Sequence, residues 1–362
     1  MLTLYRSNRA EFLAQLLAQQ LLEQRPGPLE TVEVMVNTWP TSRWLGEQLA
    51  QTIGISSLVR FPFPGSRLRQ LVRQVLELPS QQDDPWRAGR LVWAVLDRLP
   101  AVLDQPSAEP LRRWLERRDG PNATSGLSRD RWQLARSIAD AFDDYALYRP
   151  DLLAQWQQDR RQNDWQPLLW RDLARQLPAE PFGLQVRAAV QRLLQGQVNA
   201  ASLPQRLRLF GISALAPVQV ELIQALSGLL EVEVYLLTPC PDLWQRCGSR
   251  REQLGEGWLE PPDGVWLEAA PRTEAILGRM GAEFQQLLEG VGDVQLGERR
   301  DGDLFAAPAE MAAGGVESAS LLEQLQQQLV DCDGSAPLRR CRTDQSLLFQ
   351  AAPGPWREVQ LV

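Results

Sequence analysis

Four short apolar runs, standing in two pairs, constrain the fold more than any other feature of this sequence. The first pair is Leu2–Tyr5 and Val32–Val36, and the second pair is Leu207–Ile212 and Val232–Leu237. Within each pair, the residues between the two runs have the apolar spacing of a helix. In the second pair, a strand–helix–strand unit of this length implies a parallel pair of strands joined by a right-handed crossover. The pattern predicts a parallel α/β core that is interrupted between its halves.

The first half of this predicted core contains three loop-to-helix transitions. Asn8 and Glu11 have the spacing of a capping box and predict the start of the first helix. After the second strand, the loop 37–40 leads into a helix predicted over 41–52. The proline-rich segment RFPFPGSR (60–67) is predicted to be a loop that precedes another helix.

Several kinds of catalysis are excluded by the basic residues of the chain. All 38 basic residues are arginine, because the sequence contains no lysine and no histidine. The strand, loop and helix over 32–52 stand where a P-loop ATPase carries its phosphate cradle, yet they have neither the glycine-rich turn nor the lysine of that motif. A Ser-His-Asp triad, Schiff-base catalysis and a metal nuclease with a catalytic lysine are excluded on the same grounds.

Residues 68–200 are predicted to be almost entirely helical, and most of this region is predicted to form the insertion between the two halves of the core. Tryptophans recur in this region among leucines and arginines, and we interpret them mainly as core residues. They are Trp93, Trp114, Trp132, Trp156, Trp165 and Trp170.

The last third of the chain has weaker patterns. We predict a loop over 241–272, a helix near 274–288, a mobile connector over 297–318 and a helix over 319–330. Ser346–Gln350 is predicted to be a strand that opens a new domain, and the sequence ends as a further helix begins, which is typical of a truncated fragment. The predicted domains are 1–75 (first part of the core), 76–200 (helical insertion), 201–343 (second part of the core) and 344–362 (start of a second domain).

Apolar patterning, net charge and cysteine content indicate the cellular compartment of the protein and the kinds of partner it can bind. No apolar run approaches the roughly 20 residues of a membrane span, and the N-terminus lacks the features of a signal peptide, so a cytoplasmic protein is predicted. The net charge of −7 argues against a wholly basic nucleic-acid coat, although a local basic channel remains compatible with it. Four scattered cysteines, Cys240, Cys247, Cys332 and Cys341, are interpreted as reduced thiols rather than zinc ligands.

The stretch SIADAFDDYALYRPDLLAQW (137–156) contains three carboxylates on a predicted helix. The helical spacing of the apolar residues from Trp132 onward places Asp140, Asp143 and Asp144 together, away from the face of Phe142. Pro150 is predicted to end the helix. Three interpretations remain open from the residues: a solvated acidic face, a magnesium site, and contact with a ligand.

Four stretches resemble one known family. They are YRSNRAEFL (5–13), FDDYALYRPDLLAQW (142–156), LFGISALAPVQVELIQAL (209–226) and PWREVQLV (355–362). Together they resemble the gamma subunit of exodeoxyribonuclease V, the RecC family, and the similarity extends over the whole chain as roughly the N-terminal third of such a subunit. The resemblance implies a degenerate superfamily 1 helicase-like (P-loop NTPase-type) parallel-sheet core with a large all-helical insertion.

The resemblance also implies a function. The family member is a non-catalytic scaffold between the RecB-like beta subunit and the RecD-like alpha subunit. It splits duplex DNA ends and passes a single strand through a channel that recognises Chi, during double-strand break repair by homologous recombination. ATP and Mg are used by those partner subunits, so no cofactor is expected on this chain. An active ATPase or nuclease, and a structural interaction module without DNA contact, are the alternatives.

Candidate channel residues follow from the resemblance position by position. Asp140 and Asp143 match acidic positions of the family, and Arg149 matches an arginine. The other matched positions are Asn37, Trp39, Arg43, Phe63 and Arg69, with Arg187 as a weaker match. Trp39, Arg43 and Arg69 depart from the family type, which implies a different Chi sequence or none. Trp39 is suited to stacking on an unpaired base, whereas Phe63 as a core residue and Arg43 as a solvated helix residue are the simpler alternatives.

Overall fold

The computed structural model describes residues 1–27, 29–79, 84–119, 128–158, 164–241, 278–289, 299–331 and 333–361. Most of the predicted loop 241–272, the start of the predicted helix at 274, and Cys247 and Cys332 lie outside these residues. Within them, Cys240 is buried and Cys341 is exposed, and both are free thiols.

The described residues form a six-stranded sheet in which every pair of neighbouring strands is parallel. Its order is β3-β2-β4-β5-β1-β6. The strands are β1 (Leu2–Ser7), β2 (Val32–Met35), β3 (Val59–Arg60), β4 (Arg206–Phe210), β5 (Glu231–Leu237) and β6 (Arg299–Asp303). The four predicted strands are therefore confirmed, and β4 and β5 pair in parallel as predicted. β1 and β2 run parallel in the same sheet but do not pair, because β4 and β5 lie between them, and β3 and β6 are added at the two edges.

Thirteen α-helices occur in the described part of the chain. Before the second half of the sheet they are α1 (Ala10–Glu23), α2 (Trp39–Ile53), α3 (Pro64–Leu76), α4 (Ala88–Leu103), α5 (Glu109–Asp119), α6 (Arg129–Tyr148), α7 (Pro150–Gln158), α8 (Trp165–Gln176) and α9 (Phe182–Leu194). They continue as α10 (Pro217–Leu226), α11 (Arg279–Glu289), α12 (Leu321–Asp331) and α13 (Pro355–Leu361). No helix among the described residues is long and apolar enough to cross a membrane.

Helices cover both faces of the sheet because its crossovers run in both directions. Connections through α1 and α2 lead toward the β3 edge, and these helices share one buried cluster that includes Leu17, Leu45 and Phe210. Connections toward the β6 edge place α3, α9 and α10 in a second cluster, which includes Leu71 and Leu222. Right-handed crossovers of opposite direction must lie on opposite faces, which accounts for the two layers.

Helices α4–α8 have a hydrophobic core of their own. At its centre the ring centroids of Trp86 and Trp170 are 4.5 Å apart, and Phe142 lies edge-on to Trp170 at 5.7 Å. This agrees with a helical insertion, although the domain limits at 75 and 200 remain predictions. Helix α9, which precedes residue 200, shares its core with the sheet.

The expectation that the tryptophans are core residues is only partly confirmed. Trp156 and Trp170 are buried, and Trp114 and Trp165 are half-buried against the helical core. Trp93 and Trp132 are 62% and 40% exposed, so the interpretation was wrong for these two. On α6 the buried face includes Arg131 and Leu134 in place of Trp132, while Ile138 and Phe142 are buried as the apolar pattern predicted.

The predicted cap of the first helix was wrong. Arg9, not Asn8, is the N-cap residue of α1, and it makes no side-chain capping bond. Asn8 instead makes two hydrogen bonds with the backbone of Ala306, at 3.0 and 2.8 Å. A distant segment therefore competes successfully for the side chain that the local spacing assigned to the helix.

Two predictions in the last third were also wrong. The predicted connector 297–318 contains β6, whose backbone pairs with β1 and whose Asp303 forms an ion pair with Arg6 at 2.8 Å. The strand predicted over 346–350 does not form in the described residues, where Phe349 is 94% exposed. An apolar run becomes a strand only beside a pairing partner, and no described strand lies next to this one.

Candidate nucleic-acid interface

Trp39 and Phe63 meet at the carboxyl edge of β2 and β3. These strands are neighbours, and the N–H of Val36 donates to the carbonyl of Pro62 at 3.2 Å, which holds the two following loops together. The ring centroids of Trp39 and Phe63 are 5.3 Å apart with an interplanar angle of 87°. Trp39 is 72% exposed, whereas Phe63 is half-buried beneath it. We call this pair, together with the exposed Asn37, the aromatic rim.

Local sequence explains why Trp39 stands at this edge. Thr38 is the N-cap residue of α2, and its hydroxyl accepts a hydrogen bond from the N–H of Thr41 at 3.2 Å. Pro40 occupies the first turn, where a missing N–H costs nothing. Helix α2 therefore begins almost immediately after β2, and its first residue remains beside the end of the strand.

Arg43 lies one turn after Trp39 on α2. Its side chain is 86% exposed and forms an i,i+4 ion pair with Glu47 at 3.4 Å. Such an exposed pair contributes on the order of 0.3–0.5 kcal/mol. Arg43 is therefore a solvated helix residue that is free to exchange Glu47 for another anion.

Arg69 and Asp143 are brought into one electrostatic neighbourhood. The Arg69 guanidinium lies 4.3 Å from the ring centroid of Phe182 and forms an ion pair with Asp84. Burial lowers the pKa of Arg69, and the carboxylates of Asp84 and Asp143 oppose that shift. Arg69 also lines a groove of about 880 Å³ between α3 and α9. Its stacking and pairing partners are already supplied by this chain.

Asp143 joins α6 to the beginning of α4. Its carboxylate accepts a hydrogen bond from the N–H of Ala88, the first residue of α4, at 3.1 Å. The N-cap residue of α4, Arg87, provides no side-chain acceptor, and its guanidinium lies 3.9 Å from the same carboxylate. Asp143 thus performs from another helix the capping that a Ser or Asp at position 87 would perform locally.

The other two carboxylates of the acidic stretch are exposed. Asp140 forms an ion pair with Arg136 on the preceding turn, with N···O distances of 2.9 and 3.0 Å. Asp144 is exposed beside the half-buried Asp143. The three carboxylates therefore have different environments, rather than the single shared face that the spacing predicted. No group of potential ligands for a metal ion occurs within the described ranges.

Arg149 and Arg187 lie near the C-terminal end of α6. Arg149 is the C-cap residue of α6 and is exposed, and Arg187 of α9 forms an ion pair with Asp151 of α7. Pro150 ends α6 as predicted, but it also begins α7. Gly183 permits α9 to pack against this end, because a Cβ at that position would lie only 1.8 Å from the carbonyl oxygen of Ala146.

The structure therefore arranges the candidate residues in two groups. Asn37, Trp39, Arg43 and Phe63 lie at the sheet edge, and Arg69, Asp140, Asp143, Arg149 and Arg187 lie on or near α6. The partners of these candidates were not predicted from the sequence; they are Asp84, Phe182 and Arg136. Only the pairing of Arg136 could have been predicted from the sequence, because Arg136 and Asp140 have i,i+4 spacing on a helix.

The fold and the site together define a class of protein. It is an all-parallel α/β protein with a separate helical core, whose candidate site is made of arginines, carboxylates and aromatic rings. A family model described as RecC, N-terminal domain, matches residues 2–332. The chain belongs to the RecC family and corresponds to its N-terminal domain.

Individual relatives agree with this assignment. The chain is 29% identical to the RecBCD enzyme subunit RecC of Mycolicibacterium smegmatis, over 100% of this chain and 31% of that protein. It is 24% identical to the protein of the same name from Haemophilus influenzae, over 100% of this chain and 36% of that protein. For the Escherichia coli K12 protein the identity is 30%, over 67% of this chain and 22% of that protein. The chain thus spans about a third or less of these curated relatives.

Proposed function

We propose that this chain is the N-terminal part of a scaffold subunit in a RecBCD-type helicase–nuclease, exodeoxyribonuclease V. In this proposal it splits duplex ends and channels single-stranded DNA for Chi recognition, during double-strand break repair by homologous recombination in the cytoplasm. Its partners are DNA and the RecB-like and RecD-like subunits. Those subunits use ATP and Mg, while this chain itself performs no catalysis.

The observation that carries the proposal is the family match over residues 2–332, together with relatives named RecBCD enzyme subunit RecC that align with the whole chain. The basic residues support the non-catalytic part. Because every one of the 38 is arginine, the chain has no lysine for a nucleotide phosphate. The absence of lysine is consistent with a degenerate helicase-like core that has lost nucleotide binding.

The aromatic rim supports the DNA contact. In open parallel sheets, ligands bind outside the carboxyl ends of the strands, and Trp39 lies at that edge with 72% of its surface exposed. Phe63 holds the indole from beneath. An indole fixed in this way stacks on any base, with a contribution of about 1–3 kcal/mol per base. At this position we propose recognition by stacking rather than by hydrogen bonding to base edges.

The first experiment tests the strand path in the full-length subunit. Single-stranded DNA carrying 5-iododeoxyuridine is irradiated with the subunit in the presence of the two motor subunits, and crosslinked residues are mapped by mass spectrometry. We expect a crosslink at Trp39, with Trp39→Ala lowering the affinity for single-stranded DNA. Trp93→Ala is the matched control, because Trp93 is an exposed tryptophan on α4. Absence of both the crosslink and co-purification with the motor subunits would refute the proposal.

A structural interaction module without DNA contact is the second candidate. It is favoured by the contacts that the candidate residues on or near α6 make within the protein. Asp140 pairs with Arg136, Asp143 with the N-terminus of α4, Arg69 with Asp84, and Arg187 with Asp151. Each of these candidates thus has a partner inside the fold. If Asp143→Ala reduces the yield of complex with the motor subunits while the complex that does assemble keeps its response to Chi, the structural role is favoured.

A further inference from the structure

A pocket of about 510 Å³ lies between α5 and α6, outside the candidate positions described above. Pro110, Leu111 and Trp114 of α5 line one side, and Trp132, Leu134 and Arg136 of α6 line the other. We call it the α5–α6 pocket. Its volume falls within the range of about 300–1,000 Å³ that is usual for small-ligand sites.

The two tryptophans of the pocket differ in their surroundings. Trp114 packs partly against the helical core, and the guanidinium of Arg118 lies 4.7 Å from its ring centroid. Arg118 also forms an ion pair with Asp130 at 3.0 Å, which ties α5 to the first turn of α6. Trp132 is 40% exposed. The α5 side of the pocket is therefore held in place by the contacts of Arg118, while the ring of Trp132 is partly exposed and open to a ligand.

The segment that forms the pocket is basic within an acidic chain, although the acidic C-terminal half of α6 balances this charge over the two whole helices. Residues 109–136 contain seven arginines and four acidic residues, a net charge of +3, whereas the whole chain has −7. Arg117 and Arg129 are exposed, and neither has an ion-pair partner among the residues that the structure describes. They leave two cationic groups available on the same two helices as the indoles.

We propose that the α5–α6 pocket is a second contact point for single-stranded DNA, with Trp132 stacking on a base and Arg117 and Arg129 contacting phosphates. Exposed aromatic rings beside arginines are the usual means of binding a single strand without sequence preference. A site for an acidic peptide would need the arginines but not the open indole.

This inference rests on the proposed function and adds a contact on α6 to the one proposed at the aromatic rim. Trp132, Arg136 and Asp140 lie at i, i+4 and i+8 on one side of the helix. At 1.5 Å per residue, Trp132 and Asp140 are about 12 Å apart along the helix axis. A strand that passes the exposed carboxylate Asp140 therefore reaches the α5–α6 pocket within two turns.

The test measures binding of a fluorescent oligothymidylate to the 362-residue chain by anisotropy. Trp132→Ala should weaken binding roughly 5- to 150-fold, as expected for one lost stacking contact, whereas Trp93→Ala should leave it unchanged. Replacing Arg117 and Arg129 together by alanine should reduce the slope of log K against log salt by about 1.4, since each phosphate contact to a single strand contributes about 0.7. Circular dichroism verifies that every variant is folded.

The outcomes separate this inference from the proposed function. If the unmodified chain binds and crosslinks to 5-iododeoxyuridine DNA at Trp39, yet Trp132→Ala binds equally well, the pocket is not a DNA contact while the proposed function stands. If the unmodified chain does not bind DNA at all, this inference fails, while the proposed function is decided by crosslinking and co-purification of the full-length subunit. If polyglutamate displaces the oligonucleotide as effectively as unlabelled DNA, the site is one for acidic polypeptides and the inference is overturned. A crosslink mapped to Trp132 supports it.

Discussion

Replacing Asp143 by alanine separates the structural role of this carboxylate from any role in reading DNA. In the structure the side chain is 18% exposed and caps the N-terminus of α4 through the N–H of Ala88 at 3.1 Å. Loss of a capping acceptor costs about 1 kcal/mol, within a range of about 0.5–2 kcal/mol. Loss of the negative charge at a partly buried helix N-terminus adds about 0.3–1 kcal/mol.

The ion pair with Arg87 adds almost nothing to this total. Its N···O distance is 3.9 Å and Arg87 is 56% exposed, so solvent screens the interaction. We therefore expect Asp143→Ala to lower the free energy of unfolding by about 1–3 kcal/mol. Asp143→Asn keeps an acceptor oxygen and loses only the charge, so its effect should be about 0.3–1 kcal/mol.

Two measurements check this prediction. Urea unfolding gives the change in stability, and hydrogen exchange followed by mass spectrometry reports the first turn of α4, where protection should fall most. Asp144→Ala is the matched control, because Asp144 is the exposed neighbour of Asp143 on the same helix. If Asp143→Ala unfolds at the same urea concentration as Asp144→Ala and exchange at residues 88–91 is unchanged, the capping argument is refuted.

Three further predictions follow from other contacts. Gly183→Ala should destabilise the chain by about 1–3 kcal/mol in thermal unfolding through overpacking, because the new Cβ would lie 1.8 Å from a carbonyl oxygen of α6. Gly65→Ala is the control and should not destabilise the chain, because its Cβ would meet nothing within 4 Å. Arg69→Ala should cost about 1–3 kcal/mol in urea unfolding, because it leaves the half-buried Asp84 without its charged partner, whereas the exposed Arg43→Ala should cost about 0.5 kcal/mol or less. Hydrogen bonds from the N–H groups of Leu321 and Ser346 lower the pKa of Asp344 below 3.8. These hydrogen bonds should therefore be fully formed above pH 3.8 and be lost as the pH falls through the lowered pKa of Asp344. Hydrogen exchange at residues 320–346 would detect this loss, and Asp344→Asn should remove its pH dependence.

The internal pairing of the candidate residues on or near α6 affects how the proposed DNA contact should be tested. Substituting Asp143 or Arg69 disturbs the packing of the protein and any DNA contact together. Trp39 is 72% exposed, and Asp144 and Arg149 are exposed without a capping or stacking role for their side chains in the described residues. Substitutions at these exposed positions report DNA binding with least effect on folding.

The strands were predictable where both faces of the sheet are covered. β2, β4 and β5 contribute apolar residues to the buried clusters on both faces, so each strand has an apolar signal despite its interleaved charged residues, as in the VYLL of β5. β6 has the sequence RRDGD and lies at an edge, where pairing with β1 stabilises a strand that has no apolar signal. The apolar run at 346–350 shows the converse, since no described strand pairs with it.

The sequence by itself determined the parallel α/β core, the helical region within it, the absence of any lysine for a phosphate site, and the RecC family. These depend on periodicity, residue inventory and local motifs, which are properties of neighbouring residues along the chain. Only the tertiary structure decided that Asn8 bonds to Ala306, that Asp143 caps α4, and that Trp132 faces outward beside α5. Each of these outcomes is a competition for one side chain between a local partner and a distant one, and the distant partner is known only once the helices and strands are packed.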